Sequence, residues 1–290
     1  MVRLLVALIC AVVIVAVTGA LRQQKASAAV GADSVLSGFD LREDAASQKN
    51  LPLALREVSG LAVSADGRAF AHADERGVIV ELDACEGTVT KAFSLGSPPV
   101  RADFEGVAIA GERFFLLTST GQLYETREGA RNATVPFTVI ETGFGKTCEL
   151  EGLAWNAADG TLVTGCKQSG AFSLRGRLAF LRWSVDRAAP AVPPSLTMPL
   201  ADVIRGTGTK GFRPSAVERD TRTGNYLAIA GPERAIVEFT AAGTVVASRP
   251  LSRKLHQQPE GLALLGDSVL VIADEGADRP GTLTCYRRAR

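Results

Sequence analysis

Three glutamates occupy matching places in this 290-residue chain. Glu105 lies in Asp103-Phe104-Glu105-Gly106-Val107-Ala108, Glu151 in Glu149-Leu150-Glu151-Gly152-Leu153-Ala154, and Glu260 in Gln258-Pro259-Glu260-Gly261-Leu262-Ala263. Two serines complete the series: Ser59 in Glu57-Val58-Ser59-Gly60-Leu61-Ala62 and Ser215 in Arg213-Pro214-Ser215-Ala216-Val217-Glu218. Spacings between successive positions are 46, 46, 64 and 45 residues. Brought to a common axis, three carboxylates repel one another unless they are protonated or neutralised by a cation. Oxygen ligands from several strands suit Ca2+, which accepts roughly six to eight oxygens in flexible geometry. Asp74 and Asp274, each closing an apolar run that follows a series position, extend the candidate metal set to Glu105, Glu151, Glu260, Asp74 and Asp274. The competing reading makes Glu-Gly a strand-start motif whose carboxylate caps backbone N–H groups, with Lys167 neutralising one of the acids.

His72 and His256 are the only histidines. His72 precedes Asp74 by two residues, so both should lie on one side of a strand, and His72 or Glu75 is the candidate general base. A buried, hydrogen-bonded His72 is the alternative, and His256 reads as exposed in a loop. No Gly-x-Ser-x-Gly elbow and no Cys/His pair with supporting spacing occurs.

Each series position begins a β-hairpin. An apolar run follows it, then a turn (Asp66-Gly67, Gly111, Asp159-Gly160, Thr223-Gly224, Asp267), then a second apolar run. A period near 45 residues built of short strands and turn residues predicts a β-propeller with one four-stranded blade per repeat. Five repeats predict an all-β, five-bladed propeller over 36–290. The extra residues of the 64-residue spacing fall in blade three, between Ser169 and Arg213. Blade five lacks a fourth strand at its C-terminal end, and Leu51 to Leu55 is the spare strand expected to close it, leaving no free edge. The first strands should line the central channel, so the five series positions should ring one mouth.

Residues 4–17 form an unbroken apolar run that continues to Leu21, with Arg3 before it and Arg22 and Lys25 behind. Residues 1–28 thus read as an inner-membrane anchor through 4–21 or as a signal peptide cleaved after Ala28. Residues 29–35 read as a linker. Either alternative exports the propeller, to the periplasmic face of the membrane or to the periplasm itself. The net charge of +1 gives no basic footprint, and no nucleic-acid partner is expected. Export permits disulfides. Cys148 and Cys166 fall at the two strand ends that meet at the open end of the third hairpin, so a Cys148–Cys166 bridge is expected; Cys85 and Cys285 are left unpaired.

The order of these motifs, with His72-Ala73-Asp74-Glu75-Arg76-Gly77 and Cys148-Glu149-Leu150-Glu151-Gly152-Leu153 among them, resembles the bacterial SdiA-regulated family over about residues 36–290. That resemblance implies a five-bladed propeller behind an N-terminal membrane segment, distantly akin to NHL-repeat propellers, with a calcium site. Cys166-Lys167 departs from the acidic pair at the equivalent place in blades one and five. A weaker resemblance links the chain to phytase-like esterase propellers. Two functions follow as expectations: a calcium-binding envelope module for an unidentified small molecule or envelope protein, and a calcium-dependent hydrolase of an ester, lactone or phosphoester.

Overall fold

The computed structural model describes residues 34–289. The candidate anchor at 4–21 and the cleavage site after Ala28 lie outside the described residues. Among the described residues no helix is long and apolar enough to cross a membrane.

Five antiparallel sheets form five blades. Blade one runs Val58–Val63, Ala69–Ala73, Val78–Leu82 and Val89–Leu95, with Thr134–Val135 added in parallel at its outer edge. Blade two comprises Phe104–Ala110, Arg113–Thr118, Gln122–Arg127 and Phe137–Glu141. Blade three comprises Cys148–Asn156, Thr161–Ser169, Arg177–Ser184 and Ala189–Pro199, and it takes up the long spacing with that 11-residue outer strand and the short helix Leu200–Ile204. Blade four comprises Pro214–Arg219, Tyr226–Ala230, Ala235–Phe239 and Val245–Pro250. Blade five takes Pro259–Leu265, Val269–Asp274 and Thr282–Arg287 from the C-terminal end, and its outer strand is Ala46–Asn50.

The ring therefore closes with strands from both ends of the described chain, but not with the expected segment. Ala46–Asn50 pairs with Thr282–Arg287, from Ala46 opposite Tyr286 to Asn50 opposite Thr282. Leu53–Leu55 is instead a 3-10 turn, and Leu51 and Leu55 are buried beneath it. The outermost strand of a blade has one face in solvent, so the polar sequence Ala-Ser-Gln-Lys-Asn suits it. Of the apolar segment, Leu51 and Leu55 fill the core while Leu53 stays exposed. Phe39 makes an isolated antiparallel bridge to Arg288. Val35 and Leu36 are already packed in, and their N–H groups donate to the buried Glu238 at 2.9 and 3.0 Å.

The hydrophobic core lies between blades, in five clusters. Phe70, Phe93, Phe104 and Phe114 fill the seam between blades one and two. Phe180 and Phe239 stack with ring centroids 4.7 Å apart between blades three and four. The seam between blades five and one holds Leu61, Ala71, Val271 and Leu283. Each inner strand neighbours the next, and the last neighbours the first.

Glycine follows the series position for a packing reason. A Cβ on Gly106 would stand 2.7 Å from the Gly152 backbone, and one on Gly152, whose φ is +66°, would stand 2.6 Å from Ala216 Cα. Inner strands meet backbone to backbone at the axis, and only a residue without a side chain, or with one methyl as at Ala216, fits there.

The described residues contain two disulfides. Cys148–Cys166 spans a Cα–Cα distance of 5.3 Å at the open end of the third hairpin, as expected. Cys85–Cys285, with Cα atoms 5.8 Å apart, corrects the reading that left those cysteines unpaired. It ties the turn after the third strand of blade one to the third strand of blade five, across the closing seam. Two disulfides suggest an extracytoplasmic protein.

Candidate functional site: a carboxyl ring at the channel mouth

In four of the five blades the series position is a β-bulge. In blade one the register passes from Val58 opposite Ala73 to Gly60 opposite His72, leaving Ser59 unmatched. The same slip leaves Glu105 unmatched in blade two, Ser215 in blade four and Glu260 in blade five. In blade three the irregularity falls between Glu151 and Ala154. A bulged residue leaves the ladder and its side chain is re-aimed. Bulges re-aim Ser59, Glu105, Ser215 and Glu260 at the starts of four inner strands, at one mouth of the channel, while Glu151 stays paired with Gly165 just before the slip in blade three.

Three of them meet there. Ser59 Oγ donates to Glu105 Oε2 at 3.0 Å, across the seam between blades one and two. The Glu105 and Glu151 carboxyls are near enough for each to act on the other's ionisation. Glu151 is 1% exposed and forms a contact ion pair with the Lys167 ammonium, which also lies 3.6 Å from Glu149. Glu260 approaches from blade five, its Oε1 packed over Gly231, close enough to Glu105 and Lys167 to feel both charges. Ser215 is turned away and donates to the Pro259 carbonyl at 2.6 Å.

Three acids share one ammonium, and burial acts on all of them. Burial first, then the Glu151 charge, pushes Glu105 well above the ordinary glutamate range. Burial raises Glu260 to about 8, with Lys167 opposing the rise and Glu105 and Glu275 adding to it. Glu151 is raised by burial as well, but the touching ammonium opposes this. Burial lowers the Lys167 pKa, yet the three carboxylates outweigh it and keep the ammonium charged. The contact ion pair puts the negative charge on Glu151. Glu105 and Glu260 then carry protons at neutral pH, or a further cation.

The other candidates stand apart from this group. Asp74 is half-buried with Oδ1 unpartnered; burial, then the Glu57 and Glu75 charges, raise its pKa. Asp274 is buried and is engaged by His256 Nδ1 at 2.8 Å and by the Gln258 N–H at 3.3 Å. Glu75 is exposed and pairs with Arg101 at 3.3 Å. His72 is fully buried, with Nδ1 donating to the Ala73 carbonyl at 3.0 Å and Nε2 unpartnered beneath Gly60; burial pulls its pKa down to about 4. This is the buried alternative weighed for His72, and it does not present a base to the mouth. His256, read as exposed, is also fully buried, and its Nε2 meets Tyr286 Oη at 2.8 Å. The triad His256–Asp274–Tyr286 fastens the loop before blade five to its second and third strands.

Among the described residues, no group of three or more His, Cys, Asp or Glu side chains is placed to hold a metal ion. The donor chemistry of Glu105, Glu151 and Glu260 is that of a calcium site, but the Lys167 ammonium lies among them where the ion's charge would be. As they stand, these residues do not fit calcium. Lys167 is the functional residue that spacing undervalued; its signal was the break in the acidic pattern at Cys166-Lys167.

No family model matches the chain, and no curated protein matches it. Among solved structures, the glutaminyl cyclase of Myxococcus xanthus superposes with a TM-score of 0.55 at 17% identity, covering 84% of this chain and 95% of that one. The PQQ-bound aldose sugar dehydrogenase of Streptomyces coelicolor superposes with a TM-score of 0.52 at 11% identity, covering 86% and 99%. At such identities the likeness is one of fold: this chain is a five-bladed β-propeller, similar in architecture to propeller enzymes of different chemistries.

Proposed function

We propose that this propeller is an envelope ligand-binding module whose carboxyl-ringed mouth takes a small organic cation, a primary ammonium group above all. The observation that carries the proposal is the imbalance at the ring, where three buried or half-buried glutamates share one lysine. Lys167 supplies the precedent, since an alkylammonium already sits against these carboxylates. A second ammonium, placed against Glu105 and Glu260, would replace the protons they carry and use the Ser59 hydroxyl as a further acceptor. The apolar run at 4–21 and the resemblance to the SdiA-regulated family support a position at the inner membrane. Calcium is the competing occupant, and it requires Lys167 to swing away.

The test is titration calorimetry of the chelator-treated protein at pH 8 with ethylamine, putrescine and calcium chloride in turn. Saturable binding of an amine, lost in Glu105→Gln/Glu260→Gln, supports the reading. Binding of calcium alone overturns the choice of ligand, and binding of neither overturns the site.

A further inference from the structure

We propose that the opposite mouth of the channel is a second binding site, for a small carboxylic acid with an aromatic or branched apolar body. A cavity of about 690 Å3 opens there, among the ends of the inner strands and the first turns of the hairpins. Cavities of this size suit small-molecule ligands, which bind where apolar walls surround a few convergent polar groups.

The repeat shows which residues are special. Three residues beyond the series position, blades one, two, three and five carry Ala62, Ala108, Ala154 and Ala263, whereas blade four carries Glu218. One residue further on stand Val63, Ile109, Trp155 and Leu264, and in blade four Arg219. Strand pairing confirms the equivalence: Ala62 lies opposite Phe70, Ala108 opposite Phe115, Ala263 opposite Val271 and Glu218 opposite Leu227. A mouth lined mainly by methyls and apolar side chains on its other sides, with Ser64 and Asp66 at the blade-one turn, thus has an acid and a guanidinium on blade four, both lining the cavity. A fold that needs only packing here would repeat Ala-Val or Ala-Leu, as the other blades do.

The polar pair also favours one ligand chemistry. Arg219 Nε is buried and has no hydrogen-bond partner, an N–H donor awaiting an acceptor. Glu218 Oε1 accepts from the Arg219 backbone N–H at 2.8 Å, which holds the carboxyl in place. Burial lifts the Glu218 pKa to about 8, so at neutral pH it offers a second donor and adds no charge. The nearby acids are already engaged. Asp220 Oδ2 accepts from the Thr223 N–H and Oγ1 at 2.9 and 2.6 Å, and Asp66 is bound by Ser64 and Arg68. Two donors on one side of a largely apolar cup suit a ligand with two acceptor oxygens, and the arginine favours a negative one. Trp155, Ile109 and Leu264 would cover its body.

The experiment is calorimetric titration of the full protein at pH 7 with phenylacetate, phenylacetamide and phenethylamine, three probes that share one body and differ in head group. Phenylacetate should bind, and the amide and the amine should bind at least tenfold more weakly. Arg219→Leu and Glu218→Ala only restore what other blades carry, so both variants should keep the fold, checked by an unchanged circular dichroism spectrum. Arg219→Leu should weaken phenylacetate at least tenfold and Glu218→Ala by a smaller factor. Equal binding of the three probes, preference for the amine, no binding at all, or undiminished binding to a folded Arg219→Leu protein would overturn the proposal. Phenethylamine is itself a primary ammonium, so the three probes are compared in the Glu105→Gln/Glu260→Gln protein as well, where binding at the glutamate ring does not enter the outcome.

Discussion

Replacing Glu260 by Gln should make the protein more stable at alkaline pH and leave it unchanged in mild acid. Glu260 is half-buried, and its pKa rises from 4.5 to about 8, chiefly through burial. Between these values the folded protein holds a proton that the unfolded chain has released. Stability is therefore fully present below about pH 4.5, falls as pH rises, and stops falling above about pH 8. At about 1.4 kcal/mol per pH unit, the ceiling on that loss is about 5 kcal/mol. Glu260 keeps some contact with water, and Lys167 reorients toward it as it ionises, so the expected loss is about 1–2 kcal/mol. Glutamine has the same shape and cannot ionise, so the variant should not show this loss. The assay is urea unfolding of wild type and Glu260→Gln at pH 5, 6.5, 7.5 and 8.5, after exhaustive dialysis, followed by tryptophan fluorescence. The variant should match wild type at pH 5 and exceed it by about 1–2 kcal/mol at pH 8.5. A difference that does not change with pH, or a variant less stable at pH 8.5, would refute the reasoning.

Three further outcomes are expected. Lys167→Met leaves the buried Glu151 without its cation and should cost about 3 kcal/mol at pH 8, less at pH 5 where Glu151 can take a proton; urea midpoints at both values check it. Gly106→Ala drives a methyl into the Gly152 backbone at 2.7 Å and should lower Tm by several degrees or prevent ring closure, whereas an unchanged Tm would contradict the close approach of inner strands. Removing Cys85–Cys285 by paired serine substitution, with 200 residues between its ends, should cost up to about 5 kcal/mol against about 3 kcal/mol for the 18-residue Cys148–Cys166 link; equal losses would show that the seam is held by other contacts.

The blades and the ring were legible because each repeat carries its own apolar runs, turn and Glu-Gly or Ser-Gly start. The glycines of the hairpin turns confirm the reading, with φ of +85° at Gly67, +68° at Gly160 and +76° at Gly224. What could not be read from one repeat depended on contacts between repeats. Leu51 to Leu55 looked like a strand because apolar runs suggest one, and only the closed ring shows that the outermost position wants the polar Ala46–Asn50. Cys85 and Cys285 are far apart in sequence, yet ring closure makes blades one and five neighbours and sets both at their third strands. The carboxyl ring was visible as spacing, but its balance of charge was not. That balance rests on Lys167, which the register slip between Glu149 and Leu150 leaves unmatched in the same hairpin.

The central claim is that a cation replaces protons on Glu105 and Glu260 at the channel mouth. The most direct measurement is the heat of ethylamine binding at pH 7 in two buffers of different ionisation enthalpy, which reports the protons released. Release of about one proton per ligand bound, abolished in Glu105→Gln/Glu260→Gln, is the predicted result, since both acids are protonated at that pH in the free protein. Binding whose heat is the same in both buffers, or no binding with the ring intact, would contradict the account.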